Sequence, residues 1–137
     1  MKRVIGFLAV VMVVSAAFGV GLALRKSQGP RILIEAYYPF RRQGFFIADY
    51  LEALAQRYPG KVKFVYICYG TDEGYEKWRQ RGLECGGVFI NGRNNFEVVV
   101  NGKWQQVRFV KRMGVYWTAE QFEAALVQVM KEVYPRG

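Results

Sequence analysis

The chain has 137 residues, 52% of them hydrophobic and 16% aromatic, with 20 basic and 11 acidic side chains and a formal net charge of +9. That is enough for one domain with a packed core plus a tail, and too apolar for disorder. Histidine is absent and the only serines are Ser15 and Ser27, so Ser-His-Asp hydrolysis, Cys-His proteolysis and a His-ligated metal site are excluded by composition, and neither a metal nor another cofactor is expected.

Val4 to Leu24 contains no charged residue, and Ser15 is its only strongly polar member. At about 1.5 Å per residue such a helix crosses a hydrocarbon core of roughly 30 Å. The run exceeds the roughly 7–15 apolar residues of a secretory signal, so residues 1–24 are predicted to be one transmembrane signal anchor. A cleaved signal peptide is the alternative, with Ser15-Ala16-Ala17 or Gly21-Leu22-Ala23 as the small-x-small site. No cysteine lies near these sites, which argues against a lipoprotein. Lys2 and Arg3 favour a cytoplasmic N-terminus, and Arg25 and Lys26 oppose it. Either reading exports the rest of the chain. The expected location is the cell membrane, single-pass, with the C-terminal domain extracytoplasmic (periplasmic in a Gram-negative cell). Residues 25–30, ending Ser27-Gln28-Gly29-Pro30, read as a linker to a domain over 31–137. Taking the four flanking cations from +9 leaves that domain near +5. Its basic residues are single or paired, so nucleic acid is not an expected partner.

Arg31 to Tyr38, rich in branched and aromatic residues, predicts a buried strand that Pro39 ends. Gly44 to Tyr58 is helical, with Ile47, Tyr50, Leu51, Leu54 and Tyr58 on one face, and Pro59-Gly60 stops it. Lys61 to Cys68 is a second strand, with Val62, Phe64, Tyr66 and Cys68 on one face. Two strands joined by a helix make a right-handed parallel crossover. Thr71 or Asp72 caps a short helix through Arg81 that presents Tyr75 and Trp78. Gly87 to Ile90 is a short strand. Phe96 to Val100 and Lys103 to Val110 are strands around the hairpin pair Asn101-Gly102, and Asn91-Gly92 marks another tight turn. Thr118-Ala119-Glu120-Gln121 is a capping box, with Trp117 and Phe122 as its hydrophobic staple. The last helix has Phe122, Leu126, Val129 and Val133 as its core face.

The resulting α/β order, β-α-β-α-β-β-(β)-α, with local patterns such as Val88-Phe89-Ile90-Asn91-Gly92, resembles the thioredoxin-like superfamily. The resemblance implies a mixed sheet flanked by helices, with the first strand between the other two and the third strand antiparallel to them. The extra strand at Asn101-Gly102 departs from the minimal fold. In that family the first helix begins at a Cys-x-x-Cys dithiol, and its N-terminus lowers the first thiol's pKa. The matching positions here are Arg41, Arg42, Gln43 and Gly44. The family also carries a cis-proline before the third strand, where this chain has Glu84-Cys85-Gly86-Gly87. Both hallmarks are missing, so the resemblance is to a divergent member without thioredoxin's redox chemistry.

Two cysteines remain, Cys68 and Cys85, placed by the resemblance at one rim of the sheet. Three readings stay open: two buried inert thiols, a structural disulfide allowed by export and stabilising by about 3 kcal/mol, or a redox-active pair or single reactive thiol. For the last, Cys85 is the better candidate, in a loop the fold exposes. Arg41 and Arg42 are either a solvated pair or an anion site before a helix N-terminus. In the second case a carboxylate, phosphate or lipid headgroup binds there, with Tyr37, Tyr38 and Phe40 as flat walls. Trp78, Trp104 and Trp117 read as packing residues, and Glu52, Glu73 and Glu76 as exposed helical carboxylates.

The sequence therefore favours a membrane-anchored extracytoplasmic binding or assembly module, whose contact surface lies near Tyr38, Phe40, Arg41, Arg42 and Cys85. Its partner is expected to be another membrane or exported protein, besides the membrane itself. The alternative is an atypical thiol-disulfide oxidoreductase using Cys85, with or without Cys68. A third reading holds a basic domain against anionic lipid through its tether.

Overall fold

The strand Ile32–Tyr38 (β1) is the middle of the molecule because both of its faces are apolar. The computed structural model describes residues 29–136, so the anchor predicted over 1–24 lies outside the described residues. No helix among those described is long and apolar enough to cross a membrane. After β1 come α1 (Arg42–Gln56), β2 (Val62–Cys68), α2 (Asp72–Gln80), β3 (Gly87–Ile90), β4 (Asn95–Val100), β5 (Lys103–Arg108) and α3 (Ala119–Val133).

A three-stranded mixed sheet has the order β2-β1-β3. β2 runs parallel to β1, with Tyr38 opposite Cys68. β3 runs antiparallel, with Tyr37 opposite Gly87. This is the expected arrangement of the first three strands. The hairpin β4-β5 forms a separate two-stranded sheet, turning at Asn101 and Gly102, whose φ values of 52° and 74° suit Asn-Gly in a tight hairpin. Asn91-Gly92 makes the same kind of turn, with φ of 49° and 78°.

Alternation along β1 splits the core. Ile32, Ile34, Ala36 and Tyr38 pack with Ile47, Leu51 and Leu54 of α1 and with Phe122, Leu126 and Val129 of α3. Tyr37 points the other way and packs with Ile67, Leu83 and Phe89 beneath Trp78 of α2. The helix faces read from sequence are those buried, except that Tyr50, Tyr58 and Val133 are only partly covered and Ala125 joins the core of α3.

Several boundaries differ from expectation by one or two residues. α1 starts two residues earlier than predicted, so Arg42, Gln43 and Gly44 form its first turn and Arg41 is the N-cap. Helical periodicity in the sequence began at the first buried apolar residue, and the polar opening turn gave no such cue. β5 ends at Arg108 instead of Val110, because the chain there turns onto β3. Phe109 N–H donates to Asn94 O at 2.9 Å, Phe109 O accepts from Val88 N–H at 2.8 Å, and Lys111 N–H donates to Gly86 O at 2.7 Å. β1 begins at Ile32, one residue later than predicted.

The capping box of α3 is complete. Thr118 Oγ1 accepts from Gln121 N–H at 3.2 Å, Gln121 Oε1 accepts from Thr118 N–H at 2.9 Å, and the Trp117 and Phe122 rings of the staple are 5.7 Å apart. Thr118→Ala is expected to destabilise the domain by about 1 kcal/mol, measured as a lower urea midpoint with an unchanged m-value.

Burial also ties stability to pH. It raises the pKa of Tyr38 and pushes Tyr50 and Tyr66 up to about 12. Their phenols ionise near pH 10 in the unfolded chain. Below pH 10 the contribution is therefore fully present, and it is lost as pH rises through the folded values. The urea midpoint is expected to fall steeply between pH 10 and 12. A midpoint as high at pH 11.5 as at pH 9 would contradict this.

Candidate functional site

Pro39 fixes the turn between β1 and α1. Its carbonyl accepts from Arg41 N–H at 2.8 Å and from Tyr66 Oη–H at 2.8 Å. Gly44 then packs directly on this turn: a Cβ there would stand 2.4 Å from Tyr66 Oη and 2.6 Å from Pro39 O. Arg41 takes an extended N-cap conformation with no side-chain cap bond, and the first turn of α1 holds no acidic residue. Phe45 N–H, bonded to Arg41 O at 3.1 Å, is the first amide inside the helix. The amides before it point outward from a helix end of positive partial charge.

Across from this helix end runs the loop between β5 and α3. Tyr38 is almost fully buried. Its ring lies against Gly86, and its hydroxyl donates to Lys111 O at 2.7 Å. Lys111 itself holds a left-handed φ of 64°, and its ammonium sits 4.8 Å from the centre of the Tyr116 ring, within cation–π range.

Between the two lies a cleft of about 580 Å³. Arg41, Arg42, Lys111 and Arg112 all line it, and none of its lining residues is an aspartate or glutamate. Tyr38, Tyr69 and Cys85 also contribute to its wall. Such a site concentrates positive potential in a concave, partly apolar space. The volume suits a small anionic group or a short peptide segment.

Of the residues singled out from sequence, Tyr38, Arg41, Arg42 and Cys85 therefore meet in one cleft. Phe40 does not line it. Its ring is exposed beside the cleft, stacked at 5.9 Å on both Phe45 and Tyr66. Tyr37 lies on the opposite face of the sheet, where its hydroxyl donates to Glu35 Oε2 at 3.0 Å. Cys68 is buried and Cys85 half-buried, and both thiols are free. β1 lies between their strands. The disulfide reading is not met in this structure.

The backbone at Cys85 is held from the α2 side. Trp78 Nε1–H donates to Cys85 O at 3.0 Å, and the Trp78 ring packs 5.0 Å from Tyr69. Burial raises the pKa of Tyr69, with the neighbouring Cys85 adding to the rise and Arg41 offsetting part of it. In the folded protein, a thiol reagent is expected to label Cys85 once per chain and to reach Cys68 only after denaturation. Mass spectrometry of the labelled peptides checks this.

Comparisons with protein-family models, with curated proteins and with solved structures return no match. The site's meaning therefore rests on its own geometry. Among the described residues, no three His, Cys, Asp or Glu side chains converge as a metal site would need. Lys111 and Arg112 are the basic residues of the cleft that sequence reading missed. They are 69 or more residues from Arg42 in the chain, and nothing in the pair Lys111-Arg112 distinguishes it from other basic pairs. Tertiary contacts such as the Gly86–Lys111 and Tyr38–Lys111 hydrogen bonds bring it to the cleft.

Proposed function

We propose that the chain is a membrane-anchored, extracytoplasmic, thioredoxin-like domain that has no dithiol and works as a binding or assembly module. The observation that carries this reading is the cleft lined by Arg41, Arg42, Lys111 and Arg112 with no carboxylate in its wall. The β2-β1-β3 order with an antiparallel third strand supports the family resemblance, and the uncharged run Val4 to Leu24 supports the anchor. In this reading the cleft takes an anionic group of another membrane or exported protein. Guanidinium groups chelate it in bidentate fashion, and the open helix N-terminus adds backbone donors.

Photo-crosslinking in native membranes tests this. Arg41→Glu with Arg42→Glu is expected to keep the folded midpoint and to weaken partner capture at least about 30-fold, since two desolvated charge contacts are reversed. Undiminished capture by the folded double variant would remove the cleft from the binding surface.

A second reading is favoured by one observation: Cys85 is the cysteine that reaches the cleft. A thiol-disulfide enzyme needs a thiolate at neutral pH. The alkylation rate of Cys85 against pH decides between the readings. A midpoint well below about 8.5 supports redox chemistry, and an ordinary midpoint supports binding alone.

A further inference from the structure

Nine large apolar side chains among the described residues are exposed, and five of them, Phe40, Phe45, Phe46, Val115 and Tyr116, fall in two short segments flanking the cationic cleft. Single exposed apolar residues are ordinary, but a contiguous group marks a surface that is covered in use. Phe40, Phe45 and Phe46 are 62%, 52% and 65% exposed, although the core beneath them is closed by Ile47 and Leu51. They are interleaved with Arg41 and Arg42, at a helix end without acidic residues. Aromatic rings beside guanidinium groups are the composition of a surface lying at a lipid interface.

We propose that this end of the domain docks on an anionic bilayer: the rings of Phe40, Phe45 and Phe46 enter the interface, and the positive field of the cleft rim draws them to the lipid phosphates. The inference rests on the membrane attachment proposed above and goes further by naming what the exposed collar touches. Charge selects lipid over a second copy of the chain, because face-to-face pairing would set two groups of four cations against each other. Reach agrees as well. The linker over 25–30 spans up to about 20 Å, and the seven residues of β1, which separate its attachment from the collar, extend over a similar length of about 23 Å. Lying against the bilayer, the domain can bring the collar to the surface without stretching its tether.

The full chain reconstituted in lipid nanodiscs tests this by amide hydrogen exchange. Residues 42–44 are a sensitive probe because these first amides of α1 have no intrahelical acceptor. Their exchange is expected to slow at least about fivefold when phosphatidylglycerol is added to phosphatidylcholine discs, the effect of roughly one basic residue at an anionic surface. Raising salt from about 0.05 to about 0.5 M is expected to reverse the slowing. Phe45→Ser with Phe46→Ser is expected to abolish it while leaving the denaturation midpoint unchanged. Equal exchange in both discs overturns the proposal. So does slowing that appears without lipid and grows with protein concentration, which identifies a second copy. Failure of the anchor reading shows separately, as a chain whose N-terminus is cleaved and which leaves the discs. Flotation of that released protein with vesicles containing phosphatidylglycerol then tests docking directly, and no flotation overturns it.

Discussion

Phe109→Ala is expected to lower the stability of the folded domain by about 4 kcal/mol. Phe109 is fully buried, and its ring lies 5.6 Å from Phe96, 5.2 Å from Trp117 and 4.9 Å from Phe122. It therefore joins the β4-β5 hairpin, the entry to α3 and the β3 edge at one point. Alanine leaves a cavity that three rings in separate elements cannot all close. A typical domain has a net stability of about 5–15 kcal/mol, so the variant retains little. Phe109→Leu keeps most of the volume and should cost far less, about 1–1.5 kcal/mol. Urea unfolding of both variants checks the pair. A loss below about 1 kcal/mol for alanine would mean that the hairpin is held elsewhere. The cleft has a stake in this joint, because Lys111 and Arg112 lie just beyond Phe109 in the chain.

The second large effect is expected from Gly86→Ala, at about 3 kcal/mol. A Cβ at Gly86 would stand 2.2 Å from Tyr38 Cε1 and 2.3 Å from Cδ1, well inside van der Waals contact. The ring has no room to yield in place, because Tyr38 is only 5% exposed. It must swing, and its hydroxyl then loses the 2.7 Å bond to Lys111 O. Overpacking costs about 1–3 kcal/mol, and stranding a buried hydrogen-bonding group costs about 1–3 kcal/mol. Tyr38→Phe separates the parts, since it removes only the hydroxyl and should cost about 1 kcal/mol. The combination of Gly86→Ala with Tyr38→Val should cost less than the sum of the singles, because the new methyl then has space. Strict additivity would show that the ring is not what Gly86 accommodates.

These two positions also mark the boundary of what sequence can deliver. The periodic elements were legible because their physical cause is local. Branched residues at alternate positions built the β1 core face, Ile47, Leu51 and Leu54 set the face of α1, and Thr118 with Gln121 capped α3 as their spacing requires. Asn101-Gly102 was equally readable, because a left-handed pair at a hairpin tip favours those residues. The opening turn of α1 was not legible, since Arg42-Gln43-Gly44 carries no apolar period. Gly86 gave no cue to its role either, because a glycine that accommodates an aromatic ring 48 residues away looks like any loop glycine.

The candidate site divides in the same way. Arg41, Arg42 and Tyr38 were singled out because the family resemblance aligns a dithiol to that turn, and Cys85 because it aligns a cis-proline to the loop before β3. By itself the sequence determined the α/β class, the element order, the absence of histidine and of any Cys-x-x-Cys pair, and a basic turn ahead of the first helix. Only the tertiary structure decided that this turn faces Lys111 and Arg112 across a cleft, that Phe40 stands outside it, and that Cys85 reaches it while Cys68 is buried. Periodicity and capping act within a few residues and leave a trace in the sequence. The cleft depends on the chain turning from β5 onto β3 through backbone hydrogen bonds at Val88 and Gly86. Every residue except proline can make such bonds, so they leave no trace.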